Sequence, residues 1–264
     1  MTTLTVLPRP AARIGDKAIR AALTDGLSMV GGSPGDATAR AIMASRIAPA
    51  VDEQRHALAR LQRDYLEGVY SDITNVDITP EPYDPRAVNQ VLSKSWYAQT
   101  ERYADVELMH PLDRLELEHL PGGISEELTD EAIARFINRA TAQLGQHSRN
   151  AAREAVIAAA RKRGDGWQRV MIGETCAFCA LLVSRGAVYS SKTVRFKSHA
   201  NCDCGAAIVK FSNGGESIIA GNNEVEKAAE LREQWNRMYQ RGGKYADSSE
   251  AAKDFGKWYR KQTV

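Results

Sequence analysis

Residues 129–164 read TDEAIARFINRATAQLGQHSRNAAREAVIAAARKRG, the longest uninterrupted helical pattern of the chain. A threonine followed by two acids opens it, and Arg161-Lys162-Arg163-Gly164 closes it. Acids at the start and cations plus glycine at the end suit the helix dipole and the usual caps. Ile133, Phe136, Ile137, Ala140, Leu144, Ala151, Ala155 and Ala158 fall on one stripe, whose alanine-rich second half allows close approach of another helix. The partner expected is the helix over 51–69, the later part of a pattern from Asp36 to Val69 in which Val51, Leu58, Leu61, Tyr65 and Val69 recur at helical spacing and Pro49 is the one breaker.

Working outward, Ser71 to Pro85 is a proline- and aspartate-rich connector. Arg86 to Glu101 and Asp113 to Leu120 have helical character. Residues 1–35, rich in proline and glycine, read as a flexible N-terminal arm with helix only from Asp16 to Leu27. Beyond Gly164 the pattern turns β-leaning at Trp167 to Ile172, Ala187 to Ser190 and Ala206 to Phe211. Asn213-Gly214-Gly215 and Gly221-Asn222-Asn223 frame a loop, and two helices end the chain. Trp235, Tyr239, Phe255, Trp258 and Tyr259 on them are expected as core anchors. The fold class expected is mainly α (α+β): a flexible arm at 1–35, a helical domain at 36–163, a β-rich Cys/His knuckle at 164–223 and C-terminal helices at 224–264.

All four cysteines of this 264-residue chain lie in the knuckle: Cys176 and Cys179, then Cys202 and Cys204 behind His199. Cys-x2-Cys-x19-His-x2-Cys is a structural-zinc spacing, and with Cys204 five donors compete for four places. The other readings are two disulfides or four buried thiols. No secretory signal pattern opens the chain, which favours a reducing compartment and metal over disulfide. A catalytic zinc would need an open coordination position and a placed general base; Glu174, two residues before Cys176, reads more simply as a turn carboxylate. Nucleotide-loop, serine-hydrolase and His-Glu-x-x-His patterns are absent. A cysteine nucleophile served by His56, His110, His119 or His147 conflicts with the paired cysteine spacing, and His147 reads as a partly buried residue with a local hydrogen bond.

The net charge of +2 conceals an asymmetry: residues 64–120 carry twelve acids and four bases, residues 161–210 nine bases and three acids. Arg161, Lys162, Arg163, Arg185, Lys192, Arg195 and Lys197, with Arg169 and the aromatic side chains of Trp167, Tyr189 and Phe196 among them, form a candidate nucleic-acid surface. No run of eighteen apolar residues is present, so no membrane segment is expected.

Gly166-Trp167-Gln168-Arg169-Val170, Thr175 to Cys179, Ser184-Arg185-Gly186-Ala187-Val188-Tyr189 and His199 to Cys204 follow one another in an order that resembles the MuF-like minor capsid, or head morphogenesis, proteins of tailed phages, especially those of actinobacteria. The resemblance is most specific over 164–210 and is one of layout upstream. It implies a structural, non-enzymatic protein of the virion, associated with the portal protein and other head proteins. Such a protein is incorporated during prohead assembly in the host cytoplasm, takes part with DNA in packaging or ejection, and has no small-molecule substrate. The cysteine and histidine cluster would then stabilise the fold. The alternatives from the residues are a zinc-knuckle DNA-binding protein and a metal-dependent nuclease or deaminase.

Overall fold

The computed structural model describes residues 9–31, 34–69, 79–97, 130–171, 176–184, 198, 204–212, 215–218, 222–240 and 248–262. The helical pattern at Asp113–Leu120 and the β-leaning Ala187–Ser190 lie outside them. The chain is mostly helical, with a small antiparallel sheet. In order come α1 (Arg9–Met29), α2 (Ala37–Val69), α3 (Pro85–Tyr97), α4 (Asp130–Arg163), β1 (Gly166–Met171), α5 (Ala177–Ser184), β2 (Cys204–Ser212), β3 (Gly215–Ile218), α6 (Asn222–Gln240) and α7 (Ser248–Gln262).

The chain divides into two compact units. The first comprises Met1–Arg9, Ala57–Thr79 and Arg149–Val264; the second comprises Pro10–His56 and Pro80–Ser148. The boundary expected at 163/164 is not where this division falls, because both long helices contribute one half to each core. The second unit is built on an apolar cluster of Ile19, Leu23 and Leu27 from α1, Met43, Ile47 and Val51 from α2, Val88, Leu92 and Trp96 from α3, and Phe136, Ala140 and Leu144 from α4. The flexible arm expected over 1–35 is thus, over Arg9–Met29, a helix. Ile19, Leu23 and Leu27 recur every fourth residue on one face, and burying each stabilises the unit by about 1.5–3 kcal/mol. That gain outweighs the propensity cost of Gly15 and Gly26. At Gly26 an added Cβ would lie 3.6 Å from the Met43 side chain, an ordinary van der Waals distance, so the packing of α1 on α2 does not depend on this glycine.

Local signals set the helix ends. Asp36 caps α2 by accepting the Ala39 N–H at 2.7 Å, and Asp84 caps α3 by accepting the Arg86 N–H at 2.8 Å, with Pro85 at the first helical position. α2 runs through Pro49 as one helix, although the ring removes the bond to the Ser45 carbonyl. Trp96 meets Phe136 edge-on with ring centroids 5.9 Å apart. α4 ends in a Schellman motif: Gly164 N–H donates to Arg161 O at 3.1 Å and Asp165 N–H to Ala160 O at 2.9 Å, with Gly164 at φ 73°.

In the first unit the sheet order is β1-β2-β3, with Met171 opposite Cys204, Arg169 opposite Ala206 and Trp167 opposite Ile208. These six residues therefore share one face. Trp167, Cys204, Ala206 and Ile208 from that face pack with Val156, Ile157, Ala159 and Ala160 of α4, Leu66 of α2 and Cys179. The expected packing of the two long helices is found here, with Leu66 in place of Leu61, which is 42% exposed. Where a loop was expected after Asn213, β3 returns antiparallel to β2, with Ser212 opposite Gly215 and only residues 213 and 214 between them. The Asn-Gly dipeptide is the hairpin signal that explains it. Finally, α6 and α7 are not separate from the knuckle. Ala228, Leu231, Phe255 and Tyr259 form one cluster with Met171, Ala180, Leu181 and Val183, with Trp235 and Trp258 packed against it. The expected anchors are core residues, apart from Tyr239, whose side chain lies outside the described residues.

Candidate functional site

Cys176 and Cys179 stand at the start of α5, a short apolar helix. Cys176 caps it. Its carbonyl accepts the Ala180 N–H at 2.9 Å, and its sulfur accepts the Cys179 N–H at 3.3 Å, doing the work of a capping oxygen. Cys176 is half-buried, whereas Cys179 is closed to water inside the cluster that also holds Cys204 and Trp167. Phe178, between the two cysteines, points outward and is 54% exposed.

Cys204 opens β2 and is 1% exposed. Its sulfur accepts a hydrogen bond from Arg169 Nη1 at 2.9 Å. Its carbonyl accepts from Arg153 Nε at 2.8 Å, and Arg153 Nη1 reaches Asn150 Oδ1 at 2.7 Å and Ser198 Oγ at 2.9 Å. Ser198 in turn donates to Asn150 at 2.8 Å. Arg153 thus ties α4, the residue before His199 and the first residue of β2 into one buried network. Sequence reasoning missed this arginine. Its signal was an arginine within an alanine-rich helical stripe, four residues beyond the buried Arg149.

Three of the five expected metal donors, Cys176, Cys179 and Cys204, are therefore described; His199 and Cys202 lie outside the described residues. No disulfide joins the three described cysteines. Among the described residues no three His, Cys, Asp or Glu side chains lie close enough together to hold a metal ion. The donors differ in how well they suit one. Cys176 and Cys179 share one helix start, an arrangement that suits joint ligation of a soft cation. The sulfur of Cys204 already faces a guanidinium, and a second cation there would be repelled.

Of the expected nucleic-acid residues, Arg161 and Lys162 are exposed on the last turn of α4. Arg163 instead pairs with Asp165 at 2.6 Å, both largely buried. Trp167 and Arg169, read as part of a stacking basic surface, are 1% and 3% exposed and belong to the core. A burial pattern that takes in all six residues of β1 explains the correction. Arg185, Lys192, Arg195 and Lys197 lie outside the described residues, as do His110, His119, Tyr189 and Phe196. His147 is held in the second unit by the Tyr83 hydroxyl, a hydrogen bond from a distant segment of the chain where a local one was expected. Among the described residues no helix is long and apolar enough to cross a membrane.

A family model described as VG15 protein matches residues 39–242, well over half of the chain and including every described cysteine. The chain belongs to the VG15 protein family, a phage-associated family, and is a phage protein. Neither the curated proteins nor the solved structures contain a match.

Proposed function

We propose that this phage protein is a minor structural component of the head, of MuF-like type, bound at the portal and incorporated during prohead assembly. The observation that carries the reading is the use of the cysteine segment as core. Cys179 and Cys204 are buried against Trp167 and α4, and Cys204 is locked by two arginines, so the residues that resemble the head morphogenesis proteins act here as framework. The role is structural, and catalysis is assigned to none of them. Membership of a phage-associated family supports the virion as its location.

A structural zinc is part of the proposal, held by Cys176, Cys179, His199 and Cys202, with Cys204 left to the sheet. Bound there, the metal would close the segment between α5 and β2 as a tetrahedral cross-link. Contact with DNA, as a secondary role of the same protein, rests on the exposed Arg161 and Lys162.

The test is to purify particles and proheads and measure the chain by quantitative mass spectrometry, alongside co-purification with the portal protein of the same phage. Low, fixed copy number in proheads together with a portal complex is the expected result. Absence from both particles would overturn the reading.

A further inference from the structure

Residues 80–84 belong to the second unit, and its helices grip them at several points. Arg55 Nη1 on α2 donates to the Glu81 carbonyl at 2.6 Å. The Tyr83 N–H donates to Asp52 Oδ1 at 3.1 Å. The Arg55 guanidinium also stands over the Tyr83 ring, 5.0 Å from its centroid, while Asp52 holds Arg55 at 3.1 Å. The fourth hold is the Tyr83 hydroxyl on His147 Nδ1 of α4, with the two rings edge to face at 5.7 Å.

We infer that the Tyr83–His147 pair is an acid-released strap, holding residues 81–83 onto α2 and α4 at neutral pH and letting them go when the imidazole takes up a proton. With the ring proton on Nε2, the lone pair of Nδ1 receives the phenol O–H. A proton added at Nδ1 occupies that lone pair and removes the acceptor. The new charge also meets unfavourable company, since Arg55 faces it from α2 and Lys94 from α3. The nearby carboxylates are committed: Asp52 pairs with Arg55 and lies 3.6 Å from His56, and Asp84 pairs with Arg86.

Burial first, then Arg55 and Lys94, hold the His147 pKa below its ordinary 6.5. Burial also pushes the Tyr83 phenol up, so it keeps its proton throughout the range considered. The sign follows from linkage. With a folded-state pKa depressed below the unfolded one, the stabilisation is whole above about pH 6.5 and declines as pH falls below it. The decline is complete once pH has passed through the folded-state value.

Hydrogen exchange of the intact chain at pH 7.5 and 5.0, each rate divided by the intrinsic rate at that pH, reads the strap at the Tyr83 amide, which donates to Asp52. Protection there is expected to fall by up to about ten-fold per pH unit below 6.5. His147→Gln is expected to show equal protection at both pH values, whereas His56→Gln keeps the wild-type loss. Unchanged wild-type protection, or the same loss in His147→Gln, overturns the strap. Should His147→Gln fail to fold, a histidine-selective NMR titration of the wild-type chain decides. A His147 midpoint below 6.5 that coincides with the loss of protection supports the strap, and a midpoint at or above 6.5 removes it.

Discussion

Arg169 Nη1 lies 2.9 Å from Cys204 Sγ across the β1-β2 pair, and both side chains are closed to water. The register explains the contact: Arg169 is opposite Ala206, so Cys204 is its diagonal neighbour on the same face, within reach of a long side chain. A buried guanidinium depends on every acceptor it is given. Cys204→Ala should therefore lower the unfolding free energy of the first unit by about 1–3 kcal/mol, with a smaller loss in an Arg169→Met background. Urea denaturation of the two single variants and the double variant measures the coupling. Strict additivity would show that the hydrogen bond contributes nothing.

Gly164 isolates a backbone effect. Its φ of 73° is left-handed, and an added Cβ would meet nothing within 4 Å, so no packing change accompanies substitution. Gly164→Ala should cost about 1–2 kcal/mol, and Gly164→Asn less, because asparagine tolerates this conformation better. Thermal unfolding of the pair checks the order.

The two cores make separate predictions. Phe136 is fully buried in the second unit and Phe255 in the first. Truncating either to alanine should remove about 3–5 kcal/mol. Hydrogen exchange should show the protection loss of Phe136→Ala centred on α1 and α3, and that of Phe255→Ala centred on α5, α6 and α7. Loss spread evenly through both units in each variant would mean that they unfold together.

Metal content distinguishes the donors. Protein purified under reducing conditions should carry one zinc by elemental analysis. Cys176→Ser, Cys179→Ser and Cys202→Ser should each abolish it, while Cys204→Ser should retain it despite its stability cost. Loss of zinc in Cys204→Ser with retention in Cys202→Ser would exchange the roles of the two cysteines.

Neighbours along the chain fix part of this fold. The 130–163 helix with its glycine stop and the β character at Trp167 and Ala206 follow from local propensity, periodicity and capping, which act over a few residues. The aromatic anchors of the last two helices were legible for the same reason. Where a polar or turn-rich segment finds a partner depends instead on segments distant in sequence. Arg9–Met29 reads as an arm until α2 and α3 supply a surface for Ile19, Leu23 and Leu27. Trp167 and Arg169 read as a basic aromatic surface until β1 is buried along its whole length, which makes the arginine a ligand of Cys204. Arg153 looks like any helical cation until Cys204, fifty-one residues later, presents its carbonyl. Burial is a property of contacts between distant segments, and the same side chain is solvent-seeking or structural according to what the fold brings against it.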